Sequence, residues 1–340
     1  TTQHFDISYL INDSYSIPDP ALLSNFFLWS NKYLGLNSGG EDSQLDTGAL
    51  FTQPAHLIGS DSSFSWSKTL LEIGFENISH PSICIAADAT LGCYAHCMQT
   101  ATVIDFGWSS MRITPVIEGK SHPEFSRVHP IGGFGLSHLL YQQLNSRSVD
   151  LSPKSFVDNP FVSKLSEAQI AIHQRKLSTD VIHTCCTFAN NALDEDFLYF
   201  LSGSGPIDLK NEMNVMSSLY FREIISDETE QNVPSLPELI KSSISDSPDQ
   251  TKRDLWSNIV TCGGFSSINS FVSKVQATTK KVAGDFDVKV HHPMHRAIEG
   301  DLVVWVGGSI FASSSIFPRF CITKSEWEEN GESIINVKCT

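Results

Sequence analysis

Three glycine-marked turns hold the residues best placed to do chemistry. Asp105 and Gly107 stand in Ala101–Gly119, ATVIDFGWSSMRITPVIEG. A carboxylate at such a turn either holds the water of a metal ion or simply caps the turn. Gly263 and Gly264 follow the apolar run Asn258–Thr261, and Gly132-Gly133-Phe134-Gly135 precedes a leucine-rich stretch. A glycine pair between a strand and a helix brings backbone amides close to a phosphate, or lets the two elements pack closely. On residue types alone both readings stay open.

Other motifs carry less. Gly119-Lys120-Ser121 imitates the end of a phosphate-binding P-loop, but Thr114 stands where its first glycine belongs and no strand–loop–helix context surrounds it. His291-His292-Pro293-Met294-His295 offers metal-ligand types, for which a solvated histidine cluster is the simpler account. Cys93, His96 and Cys97 share helical spacing without a second ligand pair, which favours buried thiols. Gly203-Ser204-Gly205 lacks a full nucleophile elbow and a His–Asp pair. Trp29, Trp66, Trp305 and Trp327 are expected in the core.

The elements that must position these residues alternate between helix and strand, which indicates an α/β fold. The strongest pattern is Gly300–Gly331, GDLVVWVGGSIFASSSIFPRFCITKSEWEENG. Leu302–Val306 is expected to be a buried strand end, followed by Gly307-Gly308 and a small-residue helix ending near Pro318. Thr323 with Glu326 forms a capping box for the next helix. Strands are expected at Phe5–Ile11, Leu50–Gln53, Ser82–Ala87, Val103–Ile104, Met111–Val116 and Asn258–Thr261. Helices are expected at Ala21–Leu36, Ser65–Phe75, Ala89–Met98, Ala168–Thr187, Leu236–Ser245 and Asn269–Gln276, with a hairpin within Asp194–Asp208.

The 340 residues allow two cores, with 41% hydrophobic and 18% charged residues, and the formal charge of −15 disfavours direct contact with nucleic-acid phosphates. No apolar run approaches the roughly 18 residues of a membrane helix, and residues 1–20 lack a signal peptide's basic start and apolar run. The eight cysteines make no CxxC pair and sit in apolar segments, so reduced thiols in a cytosolic or nuclear protein are expected.

Three segments resemble the actin family. Ala101–Lys120 is similar to its second phosphate hairpin, Asn258–Gln276 to its adenosine-side strand, glycine pair and helix, and Gly300–Thr340 to its final core and tail. The resemblance runs in order along nearly the whole chain. It implies an actin-like fold of two RNase-H-like lobes, each a mixed sheet flanked by helices. One lobe would comprise 1–97 and 303–340, the other 98–302 with 132–225 as a peripheral subdomain. Thr1–Asn12 resembles a family segment that lies beyond the first, DNGSG-like phosphate hairpin, so either that hairpin is missing or the sequence is an incomplete copy of a longer chain.

The same resemblance implies a degraded ATPase site. Asp105, Gly107, Gly133, Gly263 and Gly264 are the positions retained for nucleotide. Trp108 and Ser109 stand where the family has an acidic residue and a glycine, Asp88 where it orients water with glutamine, and Arg112 at its water-positioning histidine. Gln174-Arg175 replaces a Lys–Glu pair, Asp301 the lysine against adenine, and Phe134-Gly135 an arginine and aspartate. The expectation is a non-catalytic actin-related protein that requires no cofactor, although glycine backbone leaves room for ATP or ADP with Mg. No metal site of its own is expected. Ser235–Ile244 and Lys252–Leu255 look most like nuclear members, which implies a chromatin-remodelling or histone-modifying complex. The implied partners are actin, other actin-related proteins and scaffold-subunit helices, without nucleic acid or membrane. The alternative is a cytoplasmic, cytoskeletal ATP-binding protein that polymerises or caps filaments.

Overall fold

The computed structural model describes residues 19–36, 47–149, 151, 167–188, 198–201, 205–225, 232–291 and 299–339. Helix α1 (Pro20–Tyr33) starts where the Asp19 carboxylate accepts the amides of Ala21 and Leu22, at 3.0 and 3.2 Å, with proline at the first helical position. Strand β1 (Ala49–Gln53) leads to α2 (Asp61–Glu72), capped by Ser60 and prolonged by a π-helical turn over Ile73–Asn77. Strand β2 (Ser82–Ala87) and helix α3 (Asp88–Ala95) follow. Strands β3 (Ala101–Phe106) and β4 (Met111–Ile117) make the central hairpin, with β5 (Lys120–Ser121) and β6 (Arg127–His129) both pairing to β4.

Beyond the hairpin lie α4 (Gly133–Ser146), α5 (Glu167–Cys185), the hairpin β7 (Leu198–Leu201) with β8 (Gly205–Asp208), and α6 (Lys210–Leu219). The short pair β9 (Ile224–Ile225) and β10 (Asn232–Val233) precedes α7 (Leu236–Asp246) and α8 (Asp249–Ser257). Then come β11 (Ile259–Cys262), α9 (Phe271–Thr279), β12 (Val290–His291), α10 (Val303–Ala312), β13 (Ile322–Thr323), α11 (Lys324–Asn330) and α12 (Ile335–Lys338).

The chain divides into two compact units. Of the described residues, one gathers those within 100–115 and 125–303; the other gathers those within 19–99, 116–124 and 304–339. In the first, β12, β11 and β3 run parallel, and β4 with β6 turns the sheet antiparallel. Its core is aromatic: Phe106 packs on Tyr220, Phe265 and Phe271, and Phe188 on Phe271. In the second, β1 and β2 are parallel and β13 is antiparallel to β2. Leu71, Phe75, Ile83, Ile322 and Ile335 fill its main core. Mixed sheets flanked by helices are the α/β architecture that the alternating pattern indicates.

Two expectations fail here for physical reasons. Leu302–Val306 is not a strand: a 3-10 turn over Gly300–Leu302 runs into α10. A five-residue apolar run fits a buried strand and the start of a helix equally well, so periodicity alone does not separate them. Two of the four tryptophans expected in the core lie outside it, Trp29 at 60% exposure and Trp305 at 71%. Trp66 and Trp327 do pack against the second unit's core, Trp327 stacking on Phe75. Phe5–Ile11 and His292–His295 lie outside the described residues. The capping box forms as expected, with the Glu326 amide donating to Thr323 Oγ1 at 3.2 Å and Glu326 Oε2 accepting from the Thr323 amide at 2.8 Å.

Candidate functional site

Gly133 begins α4 in the first unit, and Asp105, Gly107, Gly263 and Gly264 lie in the same unit at the carboxyl ends of β3 and β11. Parallel strands of open α/β sheets place ligands there. Strand β11 pairs with β3 so that Cys262 faces Asp105. Gly263 then turns with φ +85°, and a side chain there would strike the Phe106 carbonyl and the Asp105 carboxylate. Its amide donates to the Gly300 carbonyl at 2.9 Å, and the Gly300 amide donates to Ser267 Oγ at 2.9 Å. Gly264 opens the turn Gly264–Ser267 and is roomier, since a β-carbon would lie 3.7 Å from Asp301.

The third turn closes over the hairpin. The Gly133 amide donates to the Gly107 carbonyl at 3.0 Å, and the Phe134 amide to the Trp108 carbonyl at 2.7 Å. These amides begin α4, so leading donors of that helix are already used by the β3–β4 loop rather than open to an anion. A β-carbon on Gly133 would overlap the Phe265 ring. Within the loop, the Gly107 amide donates to the Ser110 carbonyl at 3.2 Å.

The one retained carboxylate is also engaged. Asp105 forms an ion pair with the Arg112 guanidinium across the hairpin, both side chains largely withdrawn from water. Replacing either partner leaves a partly buried charge uncompensated. Among the described residues no group of three His, Cys, Asp or Glu side chains is arranged to hold a metal ion. Asp88 sits in the second unit at the start of α3, where its Oδ1 accepts the amides of Ala55 (2.9 Å) and Ala89 (2.7 Å). That role is structural.

Several replacements touch one another. Trp108 meets Phe134 edge to face, with centroids 5.9 Å apart, and Trp108 also packs on Phe265 at 6.2 Å. The Arg175 guanidinium lies 4.9 Å from the Phe134 centroid, a cation–π distance, while Phe134 stacks on His138. Sequence reasoning identified Trp108, Phe134 and Arg175 as separate departures and missed that they form one cluster. Arg112 was likewise found, but not its partner; its spacing of seven residues from Asp105 across a tight turn was the available signal.

Beneath the hairpin, His129 is fully buried against Tyr220, with ring centroids 4.9 Å apart. Burial pushes its pKa down to about 4, although its Nδ1 accepts the Ile131 amide at 3.3 Å. His129 Nε2 and the Tyr220 hydroxyl find no hydrogen-bond partner among the described residues.

An ATP–Mg group needs free amides, a carboxylate open to metal-bound water and flexible loops. The amides of Gly107, Gly133, Phe134 and Gly263 donate within the protein, and Asp105 is paired. The residues present do not fit that group.

Two units, each a mixed sheet flanked by helices, define an α/β protein. The Actin family model matches residues 62–340. The chain belongs to the actin family. It is 25% identical over 296 residues to actin-related protein 4 of Oryza sativa subsp. indica, covering 79% of this chain and 67% of that protein. Actin-related protein 4 of Arabidopsis thaliana is similar to the same degree, 25% over 297 residues with the same coverage. Actin-like protein 9 of Rattus norvegicus is 25% identical over 304 residues, 88% of this chain and 68% of that protein. At this distance the chain is a divergent, actin-related member.

Proposed function

We propose that the protein is a non-catalytic actin-related subunit that contributes a folded surface to an assembly and does not turn over ATP. The observation that carries this reading is the closed hairpin site: Asp105 is neutralised by Arg112, and amides at the glycine turns donate to the chain's own carbonyls. An arginine there takes the place of the counter-ion that a metal would supply. Asp105, Gly107, Gly133, Gly263 and Gly264 are then fold-keeping positions inherited from a nucleotide site, and the two units correspond to the two lobes that the resemblance implies.

The assembly we propose is a nuclear chromatin-remodelling or histone-modifying complex, with actin, a second actin-related protein or scaffold helices as partners. Support comes from the likeness of the Ser235–Ile244 and Lys252–Leu255 segments to nuclear members and from two relatives named actin-related protein 4. Exposed aromatic surface also fits an assembly role. Trp29 and Tyr33 stack on the outside of α1, and Trp305 stands out from α10. The test is ATP turnover by the full-length protein together with thermal unfolding in Mg-ATP. We expect no Mg-dependent hydrolysis and no rise in the unfolding midpoint. Robust Mg-dependent hydrolysis would overturn the reading.

A further inference from the structure

We propose that Cys84 and Cys321 form an oxidative modification site, a pair of thiols that closes into a disulfide when a hydroperoxide reaches it. The geometry comes from the strand register. In the antiparallel pair of β13 with β2, Ile322 faces Ile83 and Thr323 faces Ser82. One step further, Cys321 faces Cys84. The Lys324 amide donates to the Pro81 carbonyl at 3.2 Å, which makes 81 and 324 a hydrogen-bonded pair. Antiparallel pairs alternate, so 82 with 323 and 84 with 321 are the narrow, non-hydrogen-bonded ones, with α-carbons about 4.5 Å apart. That separation falls inside the range of about 4.4–6.8 Å that a disulfide spans. Both side chains lie in one buried cluster, and the Cys321 thiol donates to the Phe317 carbonyl at 3.5 Å in the reduced protein.

The surroundings give the pair an entrance and keep it quiet. Cys84 lines a cavity of about 490 Å³ in the second unit, together with Tyr94, Lys120, Phe320 and Lys338. Lys120 and Phe320 are exposed, so the cavity reaches solvent. Cys321 packs in the same buried cluster as Cys84, with Leu91 and Phe311, two residues that also line the cavity. Burial pushes the Cys84 thiol up to about 12 and raises Cys321 as well, while the Lys338 ammonium opposes both shifts. Thiolate is the reactive form, so the reaction is slow at neutral pH and speeds up as pH rises.

The steps balance. Cys84, the thiol on the cavity, attacks hydrogen peroxide, giving a sulfenic acid and one water as the O–O bond breaks. The Cys321 sulfur then attacks the sulfenic sulfur, and the hydroxyl leaves as a second water. Two thiols are oxidised, one peroxide is reduced, and β13 becomes covalently tied to β2.

The full chain is treated with hydrogen peroxide at neutral and raised pH, alkylated, and digested without reduction. The expected product is a linked peptide pair containing Cys84 and Cys321, lighter by two hydrogens than the reduced pair and more abundant at the higher pH. Dithiothreitol should release it, and the Cys339→Ser variant should still form it. Cys97 is exposed and reports that oxidant acted. Linkage of Cys84 to Cys339 instead, or oxidised Cys97 with no linked pair, overturns the proposal. The wild-type map decides this even where Cys84→Ser or Cys321→Ser fails to fold.

Discussion

Gly307 in the second unit and Gly263 in the first are held by similar steric demands in different chemical settings. A side chain on Gly307 would collide with the Leu91 carbonyl, where α10 crosses α3, and no charge is involved. A side chain on Gly263 would collide with the Phe106 carbonyl and with Asp105, whose charge must be balanced. The second unit therefore keeps its glycine for packing alone. The first keeps glycines at what the resemblance makes a phosphate site, yet the amides of Gly107, Gly133, Phe134 and Gly263 donate to the chain's own carbonyls. A glycine retained in a family's binding loop is thus no evidence that the ligand is retained. The charged partner is the better witness, and here it is Arg112.

The contrast between the two glycines is easiest to break at its steric end. Gly307→Val should cost more than about 3 kcal/mol of folding stability, because backbone, not a movable side chain, blocks the new atoms. Gly264→Ala is the matched control, since its β-carbon would meet Asp301 only at 3.7 Å, an ordinary contact. It should change stability by no more than about 0.5 kcal/mol. Chemical denaturation of both variants measures this. Similar losses at the two positions would mean that close approach does not explain the glycines.

The electrostatic end comes next. Arg112→Ala strands Asp105 in a site with little water and should cost about 3 kcal/mol. Adding Asp105→Asn removes the stranded charge and should recover most of the loss. If the double variant is as unstable as the single, Arg112 is not the counter-ion of Asp105 and acts through packing.

Much of this architecture was readable in residue order. Ser82–Ala87 is a strand over the span expected, since a short apolar β-branched run bounded by Pro81 and Asp88 has few alternatives. The capping box at Thr323 and the hairpin at Gly107 likewise follow from local chemistry. What stayed hidden depends on distant partners. Trp305 lies in an apolar run whose helical rather than extended backbone turns the indole outward. Trp108, Phe134 and Arg175 are far apart in the chain, and only the fold brings them into one cluster. The facing of Cys84 and Cys321 is set by a two-residue strand that periodicity cannot register.

A pH-dependent effect sharpens the same contrast by placing a titration in the first unit alone. His129 lies under the hairpin with its pKa pushed by burial from 6.5 to about 4. The unfolded chain takes up a proton below pH 6.5, while the folded imidazole stays neutral until about pH 4. Unfolded protein therefore binds more protons across that window, so its contribution is fully present above pH 6.5 and declines as pH falls towards 4. The loss should approach about 3 kcal/mol, from a shift of roughly 2.5 units at about 1.4 kcal/mol each. The chain has twelve histidines, so the informative quantity is the difference between the wild type and His129→Phe. Urea denaturation from pH 7 to 4, with fluorescence reporting unfolding, should show a shallower decline in the variant. Parallel pH curves would mean that the imidazole is hydrated and that the space beneath the hairpin is wetter than its packing against Tyr220 implies.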